Sequence, residues 1–152
     1  MRLALTILVL PACNLVKLTA DSTADVLEVA APAFNQESDV QLAREAAPGQ
    51  LKTVEGFLLA SPENKKMIKL LAQGYCEYAF GFLEDDIERH VMAGQTEAAD
   101  PIVVRATGLY LRCMNYGLKL LGGDWEKSIY GEMPAFEQKV KDADKDDVPG
   151  LF

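Results

Sequence analysis

The chain has 152 residues, 49% of them apolar, which is enough for the core of one domain and little for two. Its 15 basic and 23 acidic residues leave a formal net charge of −8, so its surface repels phosphate backbones and nucleic acid is not an expected partner. A charged fraction of 25% is ordinary for a folded protein, so extended disorder is not expected away from the two ends.

The first residues have the layout of a secretory signal peptide. Arg2 supplies a positive charge, residues 3–10 form an uninterrupted apolar run, and a small residue precedes Cys13. The run is far shorter than the ~20 residues that a transmembrane helix needs. The alternative interpretation is a buried N-terminal segment of a cytosolic protein.

Cys13 resembles the cysteine of the lipobox in bacterial lipoproteins, where cleavage precedes the cysteine and its sulfur carries a diacylglyceryl group. Two or three acyl chains give stable membrane anchoring. Pro11 is an unusual residue two positions before such a cysteine. We expect a signal peptide over residues 1–12, a lipid-anchored tether over 13–21 and a helical domain over 22–152.

Helical periodicity dominates the first half of the domain. Residues 22–34 carry a weak helical pattern interrupted by Pro32, and a clearer pattern from Asp39 should end or kink at Pro48. A short helix over residues 50–60 follows, with its apolar side chains on one side.

Two long amphipathic helices form the centre of the predicted fold. Ser61 and Pro62 are typical of a helix start, and apolar residues then recur every three or four positions to about Val91. Asp100 and Pro101 repeat the cap-then-proline pattern, and that helix should run to Gly122. The short turn between them requires antiparallel packing.

The antiparallel arrangement brings particular side chains of the two helices together. A basic stripe with a spacing of seven could meet acidic residues of the first helix. Cys76 and Cys113 come within about a turn of each other, so they either form a disulfide or remain free and buried, and the second outcome is commoner. The basic residues are Arg105, Arg112 and Lys119, and the acidic ones Glu77, Glu84 and Asp85.

The C-terminal part reads as two short helices, over residues 125–130 and 133–140, and a solvated charge run over 141–147. No segment alternates like a strand of a β-hairpin. The predicted fold class is therefore all-α, a bundle of antiparallel helical hairpins.

No catalytic or metal-binding pattern rises above background. His90 is the single histidine; Asp86 lies four residues before it, but the second ligand pair of a helical metal centre is missing. Residues 142–146 copy the first spacing of a calcium loop without its glycine or closing glutamate. Phosphate-binding glycine loops and nucleophile elbows are absent from the sequence, so we expect no cofactor, no metal and no enzymatic activity.

Aromatic residues on the two long helices have two interpretations. They could form a groove for an apolar ligand or a partner helix. Their helical spacing favours ordinary bundle core. The set is Tyr75, Tyr78, Phe80, Phe82, Tyr110 and Tyr116.

Several short strings, taken in order, resemble the T component of TRAP transporters, a tetratricopeptide-like lipoprotein family. They lie between Leu51 and the C-terminus and are specific only in combination. They are Glu55-Gly56 with Leu58-Leu59, Ser61-Pro62-x-Asn64, Tyr75 with Tyr78-Ala79 and Phe82-Leu83-Glu84, Arg105-Ala106-x-x-Leu109-Tyr110-x-Arg112, Tyr116-Gly117-Leu118, and Asp147-Val148-Pro149.

The resemblance implies a non-catalytic periplasmic protein with a tetratricopeptide-like helical fold, anchored by lipid to a membrane, the outer one rather than the inner. It implies contact with the solute-binding protein of a TRAP importer, assembly as a homotrimer, and a groove or pore for an apolar ligand. The groove residues suggested in this way are Tyr75, Tyr78, Phe82, Tyr110, Arg112 and Tyr116.

Relatives continue past the Asp147-Val148-Pro149 segment into further helical repeats, so the chain is expected to correspond to about the N-terminal half of the family domain, either as a truncated product or as a fragment. The alternative function is that of a structural helical envelope lipoprotein with no ligand.

Overall fold

The computed structural model describes residues 12–151, and side chains from residue 15 onwards. The predicted signal peptide and the side chain of Cys13 lie outside the described part. Within it every regular element is a helix, which confirms the predicted all-α class. The elements are α1 Ala12–Asn35, α2 Val40–Ala60, α3 Lys65–Tyr78, a π-helical segment Ala79–Glu84, α4 Asp85–Met92, α5 Thr96–Leu121, α6 Trp125–Ile129, α7 Met133–Lys141 and α8 Val148–Leu151.

Helix α3 lies at the centre of the core. Met67, Ile68 and Leu71 are fully buried, and α3 packs against α1, α2 and α5. The predicted long first helix is present as α3, the π segment and α4 in one continuous helical run. In the π segment each hydrogen bond spans one residue more than in an α-helix. The side chains of α4 are therefore rotated about the helix axis relative to those of α3.

Two helix starts differ from the prediction. Helix α3 begins at Lys65, with Asn64 rather than Ser61 as its cap; the Asn64 side chain accepts a hydrogen bond from the Met67 amide at 3.1 Å. Helix α5 begins at Thr96, so Pro101 lies inside it rather than at its start. Burial of Ala99 against the rest of the bundle stabilises this early turn.

Pro48 does not end α2, which continues from residue 40 to residue 60. A buried stripe runs on both sides of the proline, and tertiary packing of such a stripe outweighs local propensity. The stripe consists of Ala43, Ala47, Leu51, Val54 and Leu58.

The residues of the predicted lipid-anchored tether, 13–21, belong to helix α1. Ala20 is buried, and the Asp21 carboxylate accepts hydrogen bonds from Ser61 at 2.6 Å and Asn64 at 2.7 Å. Hydrogen bonds from Lys17, Ser61 and Asn64 hold the pKa of Asp21 well below its ordinary value. Helix α1 is thus fixed to the corner between α2 and α3.

Cys76 of α3 and Cys113 of α5 form a disulfide, with their Cα atoms 5.4 Å apart. The interpretation as free buried cysteines is therefore wrong. The reason is geometric: α3 and α5 pack along most of their length, and the two cysteines face each other across that contact. The bridge closes the chain over a separation of 37 residues.

The expected pairing of the basic stripe with Glu77, Glu84 and Asp85 is also wrong. Arg105 donates to the Tyr78 hydroxyl at 3.2 Å, and Arg112 donates to the Tyr75 hydroxyl at 3.1 Å. Lys119 lies 3.9 Å from Glu63. The two arginines face tyrosine hydroxyls because the aromatic side chains of α3 occupy the space between the two helices.

We expect the double variant Cys76→Ala/Cys113→Ala to lose about 2–4 kcal/mol of unfolding free energy, because the bridge restricts the unfolded chain over a long loop. Chemical denaturation with and without a thiol reductant measures this. The reductant should destabilise the wild type and leave the double variant unchanged; equal stability of both proteins would contradict the expectation.

Candidate functional site

An apolar cavity of about 460 Å³ opens between α1, α2, α3 and the π segment. Leu27 and Phe34 of α1 form one wall, and Leu70 of α3 lies on another. The remaining lining residues are Ala31, Asn35, Glu37, Val40, Ala43, Ala47, Gln50, Leu51, Val54, Gln73, Gly74, Glu77, Tyr78, Gly81 and Phe82. Its volume falls in the range of small-molecule binding sites.

Small residues create the empty space. Ala43 and Ala47 stand one helical turn apart on α2, and Gly74 and Gly81 lie on the facing helical run. A Cβ atom on Gly74 would come within 2.6 Å of Leu51, so glycine permits the close approach of α2 and α3 there. At Gly81 a Cβ atom would meet nothing within 4 Å.

Phe82 lines one end of the cavity, and Arg44 lies beside Phe82. Its guanidinium stands 5.2 Å from the centre of the Phe82 ring and donates to both carboxylate oxygens of Asp86, at 2.5 and 3.1 Å. Asp85 lies 3.9 Å away. The carboxylate of Asp86 therefore neutralises the charge of Arg44. The hydrogen bond from Arg44 is the chief cause that lowers the pKa of Asp86.

Only two of the six suggested groove residues, Tyr78 and Phe82, line this cavity. Tyr110 instead donates to Glu84 at 2.5 Å, and burial together with this hydrogen bond raises its pKa to about 12. Tyr75, Arg112 and Tyr116 meet at a second cluster, between α2, α3 and α5. A ligand role for the four residues outside the cavity stays a prediction without structural support.

Glu55 of α2 is the centre of that second cluster. Its Oε1 atom accepts hydrogen bonds from Tyr75 at 2.7 Å and Tyr116 at 3.0 Å, and Lys52 pairs with its other oxygen. Arg112 lies 3.6 Å away and donates to the Tyr75 hydroxyl. The Tyr75 and Tyr116 rings stack 6.0 Å apart.

The electrostatics of this cluster favour a structural role. Burial raises the pKa of Glu55, but the hydrogen bonds from Lys52, Tyr75 and Tyr116 outweigh it and lower the pKa overall. Burial and Glu55 raise the pKa of Tyr116 to about 12. An ionised carboxylate whose oxygens are occupied by three donors is poorly suited to act as a general base.

Sequence reasoning missed α1 and α2 as cavity walls. The signal was present in the small residues at positions 43 and 47, which are spaced by four on the buried face of α2. Such a spacing also suits close helix packing without a cavity, so only the tertiary arrangement distinguishes the two outcomes.

Among residues 15–151, no three histidine, cysteine, aspartate or glutamate side chains are grouped closely enough to hold a metal ion. Asp86 binds Arg44, and His90 faces Gln95 at 3.0 Å. In the same part of the chain, no helix is both long and apolar enough to cross a membrane.

A family model described as the TRAP transporter T-component matches residues 36–152. The match spans more than half of the chain. It covers the cluster around Glu55 and the cavity, except for the cavity wall that α1 contributes. No curated protein and no solved structure matches the chain.

We expect Glu55→Gln to lower the unfolding free energy at pH 7 by about 1–3 kcal/mol, because the charged acceptor of two tyrosines is lost. In the wild type the folded pKa of Glu55 is depressed, so its stabilisation is complete above its ordinary value of 4.5 and disappears as the pH falls through the folded pKa. Urea unfolding from pH 7 to pH 3 measures both effects. The exposed control Glu137→Gln should follow the wild type; an identical pH dependence in Glu55→Gln and wild type would contradict the assignment.

Proposed function

Because the chain belongs to the TRAP transporter T-component family, we propose that it is a non-catalytic, lipid-anchored periplasmic protein that contacts the importer's solute-binding protein and holds an apolar ligand. Membership of the family itself makes the chain an accessory component of a TRAP transporter. The apolar cavity carries the ligand-binding part of the proposal.

The cavity suits an apolar ligand because aliphatic and aromatic side chains from α1, α2, α3 and the π segment line its interior. Leu51 and Val54 are buried at its base, and Leu27, Leu70 and Phe82 are partly buried around them. Burial of apolar ligand surface in such a site is favourable by roughly 25 cal/mol per Å².

Two features support export and anchoring. Disulfides persist in oxidising compartments such as the periplasm, and Cys76 and Cys113 form one. Helix α1 begins at Ala12, so acyl chains on Cys13 would hold this helix directly at a membrane surface. Leu15, Val16 and Leu18 are exposed in its first turns, where contact with lipid would cover them.

Phe80 is the residue we propose for contact with the solute-binding protein. It is 70% exposed and lies in the π segment, beside the cavity-lining residues Gly81 and Phe82. Exposed aromatic side chains are enriched at the centres of protein interfaces. The homotrimer stays a prediction, which light scattering of the purified protein would test.

For the ligand, we expect Gly81→Leu to reduce binding of a dodecyl-chain amphiphile at least tenfold, because the new side chain occupies the cavity. The matched control is Gly108→Leu on α5, an exposed helical glycine where a Cβ atom also meets nothing within 4 Å. Calorimetric titration measures the affinity. If wild type bound no amphiphile, the structural lipoprotein without ligand would be the better description. If both variants bound as tightly as wild type, the ligand would lie outside this cavity.

For anchoring and partner contact, we expect membranes from cells that express the chain with its solute-binding protein to hold both proteins. Cys13→Ala should release both to the soluble fraction and abolish labelling by a fatty-acid probe. Phe80→Ala should release only the solute-binding protein.

The control for this experiment is Leu59→Ala, which removes an apolar side chain that is 85% exposed and lies outside the cavity lining. It should retain both proteins at the membrane. Undiminished labelling of Cys13→Ala would refute the anchor, and retention of the partner by Phe80→Ala would refute the proposed contact.

A further inference from the structure

The mouth of the cavity differs chemically from its interior. Six side chains that line the cavity are exposed at its rim, and five of them are polar: Asn35, Glu37, Gln50, Gln73 and Glu77, beside the apolar Val40. Two are carboxylates and three are amides, and no lysine or arginine lines the cavity. The polar rim residues lie on α1, on the connection from α1 to α2, on α2 itself and on α3.

The two rim carboxylates are not neutralised by the protein. Among the described residues, neither Glu37 nor Glu77 forms an ion pair; Glu37 accepts one hydrogen bond, from the Asp39 amide at 2.8 Å. Arg44, which lies at the Phe82 end, is already bound by Asp86. Both charged residues of the lining are therefore negative, on a chain whose net charge is −8.

From this arrangement we infer that the ligand is a single-chain amphiphile with an uncharged or cationic head group, and that carboxylate and other anionic amphiphiles are rejected. This inference rests on the proposed apolar ligand. An alkyl chain fills the interior, and the head group stays at the rim. Amide side chains donate to and accept from hydroxyl groups, and carboxylates accept hydrogen bonds from ammonium groups.

An anionic head group would face both carboxylates without a compensating cation. Like charges a few ångströms apart near a protein surface repel by about 1–4 kcal/mol, depending on the local dielectric. That is a factor of about 5 to 1,000 in affinity.

The volume of the cavity guides the choice of chain length for the test. At ~30 Å³ for each non-hydrogen atom of the ligand, which is the volume of a water molecule in the liquid, 460 Å³ corresponds to about 15 atoms. A chain of about twelve carbons fits this space with the start of a head group.

The test compares three ligands that share a chain of twelve carbons and differ in the head group: dodecylammonium, glycerol monododecanoate and dodecanoate. Each is titrated calorimetrically, below its micelle concentration at pH 7 and low salt, into the chain carrying Cys13→Ala, so that no attached lipid competes. We expect dodecanoate to bind at least tenfold more weakly than the other two, and high salt to reduce the difference.

Charge variants assign the discrimination to the rim. Glu37→Gln/Glu77→Gln should strengthen dodecanoate binding at least fivefold and leave the uncharged glycerol ester unchanged. The control Glu97→Gln/Glu137→Gln makes the same change in net charge at exposed residues outside the lining, and should have little effect. Circular dichroism verifies that each variant is folded.

The outcomes separate the two proposals. Dodecanoate binding as tightly as the other ligands, or equal effects of the rim and control variants, overturns the head-group inference and leaves apolar binding intact. If none of the three ligands binds, both the inference and the apolar-ligand part of the proposed function are wrong.

Discussion

The docking of α1 through Asp21 is the interaction on which the cavity depends. Its carboxylate accepts hydrogen bonds from Ser61 and Asn64, at the corner where α2 ends and α3 begins. Ser61 is only 1% exposed, so an apolar substitute for Asp21 would leave its hydroxyl buried without that acceptor. Loss of this contact would weaken the attachment of α1, which the Lys66 ion pairs with Asp25 and Glu28 also support, and with it the wall formed by Leu27 and Phe34.

Helix α3 and the π segment present two chemically different sides to their neighbours. Towards α5 the contact is closed by the Cys76–Cys113 disulfide and by the tyrosines that hydrogen-bond to Glu55. Towards α1 and α2, small residues leave space that no side chain fills. A covalently closed contact therefore lies on one side of this helical run and a cavity on the other.

Local pattern predicted the helices well and their ends less well. The periodic apolar residues before Val91 and before Gly122 predicted the two central helical runs, since an amphipathic stripe depends on near neighbours in sequence. Pro48 and Pro101 were wrongly interpreted as boundaries, because packing of Ala47 and Ala99 keeps the chain helical around them. The family resemblance, based on strings between residues 51 and 149, was confirmed by the family match.

The sequence by itself determined the helical class, the order of the elements and the family, because all three are written in residues close together along the chain. The tertiary structure alone decided the pairing of Cys76 with Cys113, the docking of Asp21 and the division of the aromatic residues between two clusters. These features join residues 20 to 61 positions apart. Whether such residues meet depends on how the helices pack, and a local pattern does not contain that information.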